Sequence, residues 1–184
     1  MTTPPDFTVG QVLTAAQMNA VGLWLVKEQA IGSAVSSQDT TSCFTSDFDA
    51  YRVVVTGMSS SANNNTSVQM LATSTPATTN YNYGIPAVDY AAASVLYVRG
   101  VLASSVLVGR GIASQPVSFS FDVLNPNAAA YTYFTGITYI DINTGYGGIG
   151  GGMHQTATAY DGFRLAPNTG TITGGTIRVY GYRA

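Results

Sequence analysis

One histidine, one cysteine and nine carboxylates are the main side chains with ordinary catalytic chemistry in this chain of 184 residues. Cys43 and His154 would make a nucleophile and its base only if the fold brought them within hydrogen-bond reach. No local signature links them, so structural roles are expected for both. One His and one Cys cannot supply the ligand set of a histidine- or thiolate-based zinc site, and Cys43 has no partner for a disulfide within the chain. Hydrolysis of a glycosidic bond needs only two carboxyl groups, and Asp47, Asp49, Asp89, Asp122, Asp141 and Asp161 are the candidates inside the strand-rich region. Asp47 and Asp49 flank Phe48 just before a strand, where Asp caps turns by bonding the backbone; the same pair is the candidate for a weak Ca²⁺ site. Asp122 and Asp141 fall within strand patterns, at positions open to facing solvent. The stretch Gly145 to Gly152 contains a GxGxxG spacing, but a dinucleotide fold needs a helix next, and Met153 to Thr158 reads as strand. These glycines are expected to form a tight, pliable loop, or backbone packed closely on a neighbouring subunit. No catalytic residue, metal ligand or cofactor contact is assigned.

The tyrosines are more informative. There are twelve, and several lie among Asn, Thr and Gly, the mixture that gives adaptable contacts because the ring buries area while the hydroxyl stays bonded. Tyr81, Tyr83 and Tyr146 are the candidate surface-recognition residues, with Tyr90, Tyr131, Tyr133, Tyr139 and Tyr160 in similar surroundings. The alternative for any of them is a half-buried place in a sheet.

Two kinds of element must position these residues. From Thr14 to about Glu28 the pattern predicts a helix: Thr14 and Gln17 make a capping box, and Ala15, Met18, Val21, Gly22 and Leu25 recur at helical spacing. Gly22 weakens such a helix by about 1 kcal/mol, and so short a helix is marginal alone. Met18, Val21, Trp24 and Leu25 are therefore the candidate docking stripe. After a Gly- and Ser-rich linker near 32–37, β-branched and aromatic runs alternate with turn clusters, the texture of a sandwich or barrel. Predicted strands cover 48–56, 66–73, 94–102, 105–109, 117–123, 131–142, 154–165 and 175–182. In the first, Tyr51, Val53 and Val55 share one face; in 117–123, Val117, Phe119, Phe121 and Val123 share one and Ser118, Ser120 and Asp122 the other. Asn125-Pro126-Asn127, Pro167 to Gly170 and Gly174-Gly175 are turn chemistry. The predicted fold is mainly β, a jelly-roll-like antiparallel sandwich (38–184) preceded by one N-terminal helix and docking segment (1–37).

Charge limits the partners. Charged residues are 9% of the chain against a typical ~25%, and the net charge is -2, which leaves too little positive charge to neutralise a run of phosphates. Nucleic acid is not an expected partner. No apolar run approaches the ~20 residues that span a bilayer, so membrane insertion is not expected, and the N-terminus lacks the basic start of a secretory signal. So few charges give a free monomer little protection against self-association, which favours a place in a larger assembly.

Residues 7–19, and within them Gly10-Gln11-Val12-Leu13-Thr14-Ala15-Ala16-Gln17-Met18-Asn19, resemble a leading segment of many tailed-bacteriophage virion proteins, above all tail fibre and minor tail proteins, in which a G-x-V-L-T-A-A-Q-[LM]-N run leads into a helix. Phe44 to Val55 and Gly175 to Arg183 are similar to the first and last strands of β-sandwich domains in those proteins. The resemblance implies a non-enzymatic virion component, a homotrimer held to other virion proteins through its N-terminal region and displaying a sandwich to a host-surface glycan or protein. A capsid decoration (cement) protein and a polysaccharide depolymerase are the alternatives.

Overall fold

The computed structural model describes residues 10, 22–113, 115–141 and 145–182. Among them the elements are all strands: β1 (Leu23–Ala30), β2 (Gln38–Thr40), β3 (Ala50–Ser60), β4 (Asn64–Ala72), β5 (Thr75–Pro76), β6 (Tyr81–Asp89) and β7 (Val95–Ala103). There follow β8 (Val106–Gly111), β9 (Val117–Leu124), β10 (Thr132–Asp141), β11 (Tyr146–His154), β12 (Gly162–Pro167), β13 (Ile172–Thr173) and β14 (Thr176–Tyr182). The large sheet runs β1-β14-β3-β9-β10-β11-β6-β7, with β13 also on β3; the small one runs β2-β12-β4, with β5 and β8 also on β4. Every strand pair is antiparallel.

Alternation decides which side chains enter the core. Tyr51, Val53 and Val55 of β3, Ile177 and Val179 of β14, and Phe121 and Val123 of β9 are buried, as the period of two requires. Val117 and Phe119 share that face but are only partly covered. Opposite them, Val68 and Met70 of β4, Val106 and Val108 of β8, and Phe163 and Leu165 of β12 close the sandwich. A bulge between Val55 and Met58, with Gly57 at φ 68°, resets β3 so that Met58 and Ser60 also point inward. On the outer faces, charges directly opposite in the ladders pair: Arg52 with Asp122, Arg164 with Asp39 and Arg178 with Glu28. The predicted turn glycines Gly170, Gly174 and Gly175, and Asn125, all have positive φ.

Five expectations change. Leu23 to Glu28 is strand, not helix; the part of the predicted helix before Gly22 lies outside the described residues. A marginal helix gains little from propensity, whereas the free edge of β14 offers a full ladder to a segment rich in Trp, Leu and Val. The sandwich therefore includes β1, ahead of the boundary expected at 37/38. Tyr81 to Asp89 is a strand that turn-like Asn82, Gly84 and Pro86 concealed. The glycine-rich stretch is strand β11, in the interior of the large sheet, and the strand expected over 154–165 is the end of β11, a loop and β12.

Candidate functional site

Cys43 and His154 are not brought together. The Cys43 thiol is buried and donates to the Thr40 carbonyl at 3.4 Å; burial, aided by the charge of Asp161, pushes its pKa up to about 12. His154 is buried between two tyrosines: Tyr160 donates to Nδ1 at 3.1 Å, and Nε2 donates to the Thr79 carbonyl at 3.0 Å. Its ring centroid lies 4.3 Å from that of Tyr81. Desolvation holds this imidazole below its usual pKa against the opposing effect of the Thr79 bond. Both ring nitrogens are thus committed to holding the end of β11.

Five of the six candidate carboxylates are similarly engaged, whereas Asp49 contributes, among the described residues, only its backbone carbonyl, which accepts the Asn125 N–H. Asp122 takes a bidentate contact from Arg52 (2.9 and 3.0 Å) and the Tyr182 hydroxyl (2.9 Å). Asp141, almost fully buried, is 3.0 Å from Arg110, whose other end donates to Asn65. Asp89 accepts the Ala91 and Ala92 N–H groups and the Ser94 hydroxyl, an arrangement whose first bond holds its pKa below the usual range. Asp161 accepts the Thr73 N–H, and Asp47 accepts the Thr45 hydroxyl. Among the described residues no three of His, Cys, Asp and Glu group as metal ligands, and no helix is long and apolar enough to cross a membrane.

The glycines of β11 have a packing role. They do approach backbone closely, but within the chain: a Cβ on Gly148 would lie 2.0 Å from the Pro86 carbonyl oxygen, and one on Gly150 would lie 2.3 Å from that of Gly84. Their inward positions face Phe134, Ile137 and Tyr139 of β10 across the ladder, so large residues on one strand meet none on the next. The signal that could have found this strand was alternation on its neighbour; glycine runs carry none of their own.

Of the candidate docking residues, Met18 and Val21 lie outside the described residues. Trp24 and Leu25 are on β1, an outer strand of the large sheet, 42% and 48% exposed. Of the candidate recognition residues, Tyr81 is fully buried and reaches no surface: its hydroxyl accepts the Met70 N–H and donates to the Ala77 carbonyl, pinning the corner before β6. Tyr83 and Tyr146 are half-buried against the core. Tyr139 and Tyr160 are buried as well, whereas Tyr90, Tyr131 and Tyr133 are exposed.

The surface that the sequence did not single out is the β6–β7 hairpin at the other edge of the large sheet. Tyr97 is 74% exposed and Val101 72%, and Val88, Tyr90, Val95, Leu96 and Leu102 are exposed around them. Val95 and Leu96 point to opposite faces, so neither face of this hairpin end is covered. β7 carries one charge, Arg99, and no proline. A nine-residue apolar edge of this kind is a template for pairing or docking. No protein family, no curated protein and no solved structure matches the chain.

Proposed function

We propose that the chain is a non-enzymatic structural component of a bacteriophage virion, tail-associated, oligomerising with its own copies and displaying its sandwich for contacts with a host surface or with other virion proteins. The observation that carries this reading is the uncovered apolar hairpin β6–β7, opposite the apolar edge β1, in a chain that is only 9% charged. Such edges are satisfied by assembly. Repeated crossing of the chain between two antiparallel sheets supports a jelly-roll-like arrangement, and the leading segment's resemblance to tail proteins supports the location. Engagement of five of the six candidate carboxylates in turns and ion pairs favours a display role over depolymerisation. A capsid decoration role shares the same surfaces, and location in the particle separates the two.

Sedimentation of the full chain at micromolar concentration, with detection of the chain in purified phage particles carrying its gene, tests the proposal. A trimer mass, lost in Tyr97→Asp with Val101→Asp while the melting temperature holds, is the expected result. A monomer that is absent from particles overturns it.

A further inference from the structure

The chain passes from the large sheet to the small one at Ser104-Ser105, and at this corner a cleft of about 440 Å³ opens. That is within the range of small-ligand sites, ~300–1,000 Å³. Ser67 and Gln69 of β4, Tyr83 of β6, the two serines of the crossing and Asn168 after β12 line it. Its geometry is built. A Cβ on Gly100 would lie 2.3 Å from the Tyr83 ring, so the ring lies against β7 at a place where only glycine leaves room. A bulge follows: pairing shifts between Tyr81 and Tyr83, Leu102 takes φ 49°, and its N–H donates to Asn82 Oδ1 at 3.0 Å. Left-handed backbone at a branched apolar residue persists only where its surroundings hold it, and this bulge turns the following residues into the cleft wall.

The polar groups are arranged but not used up. Gln69 Nε2 donates to the Ser104 carbonyl at 3.0 Å, leaving its amide oxygen; Ser67 donates to Asn168 Oδ1 at 3.2 Å, leaving that amide nitrogen. The hydroxyls of Tyr83, Ser104 and Ser105 have no partner among the described residues. Among the described residues no Asp, Glu, Lys, Arg or His lines the cleft, so none of them offsets the desolvation of an ion. Donors, acceptors and one aromatic ring without charge match a ligand that is itself uncharged, rich in hydroxyls and apolar on its C–H face.

We infer that the Tyr83 cleft binds a neutral sugar residue of a surface glycan; its biological meaning rests on the display role proposed above, but binding by the purified chain is read independently of particle location. Saturation-transfer NMR of the full chain with the methyl glycosides of glucose, galactose, N-acetylglucosamine and rhamnose, and with N-acetylneuraminic acid as the charged control, tests it. At least one neutral glycoside is expected to bind with Kd of about 1 mM, a weak single-residue affinity of about 4 kcal/mol. That binding is expected to weaken at least threefold in Asn168→Ala and in Tyr83→Phe, both measured on protein with wild-type melting. Silence from all four neutral glycosides, binding undiminished in both variants, or binding of the acidic sugar alone overturns the inference. Absence of the chain from particles with sugar binding intact would instead refute the virion role and leave the cleft standing.

Discussion

Gly148→Ala is the most direct test of the large sheet, because it adds one methyl group to a strand with neighbours on both sides. The new Cβ would lie 2.0 Å from the Pro86 carbonyl oxygen and 2.8 Å from the Ala87 Cα, both backbone atoms that no rotamer change can move, whereas real Cβ contacts stay above 3.0 Å. β11 and β6 must therefore part by about 1 Å locally, which takes their ladder bonds from ~2.9 Å to ~3.9 Å, beyond hydrogen-bond range. Losing two such bonds at ~1 kcal/mol each, together with overpacking of ~1–3 kcal/mol, gives about 3–5 kcal/mol. For a domain of this size that is a fall in Tm of roughly 10 °C. Gly84→Ala is the control: Gly84 is one strand away on β6, exposed, with nothing within 4 Å of its Cβ position and no positive φ. It should change stability by no more than about 0.5 kcal/mol. Differential scanning calorimetry of both variants reads the contrast. Equal melting of Gly148→Ala and the wild type would refute the placement of this strand between β10 and β6.

Three further outcomes follow from buried groups. The His154 pKa is lowered from 6.5 in the folded chain, so the folded state binds fewer protons than the unfolded; stability is full above pH 6.5 and falls as the pH drops from there toward the folded-state value. Tm measured between pH 7.5 and 5 should show that decline, and His154→Gln should flatten it. Asp141→Asn leaves the Arg110 guanidinium largely buried without its counter-charge and should cost about 3–5 kcal/mol. Asp122→Asn, at a pair whose Arg52 side chain is 40% exposed, should cost about 1 kcal/mol or less; urea unfolding of the two variants measures the difference. Cys43, fully buried with its pKa pushed up to about 12, should resist a thiol reagent at pH 8 in the folded chain and react fully in 6 M guanidinium, with equal reactivity in the two states as the contrary result.

What could be read along the chain were properties carried within one segment. The alternation over Val117 to Val123 and at Tyr51, Val53 and Val55 states which face is core, because the pleat has a fixed period of two. Turn residues such as Gly170 and Gly174 announce their φ, since few other residues adopt it without strain. The overturned expectations concern partners far away in sequence. Residues 23–28 fit a helix locally and became strand because β14 presents an open ladder across some 150 positions of chain. The β11 glycines have no side chains with which to signal a face, and only Phe134, Ile137 and Tyr139 beside them explain the choice. Tyr81 and Tyr83 have the same residue type and similar neighbours in sequence, yet one pins a buried corner and the other lines an open cleft. That division was made by tertiary packing: burial depends on which strand lies opposite, and a strand's neighbour is a property of the whole sheet rather than of any stretch within it.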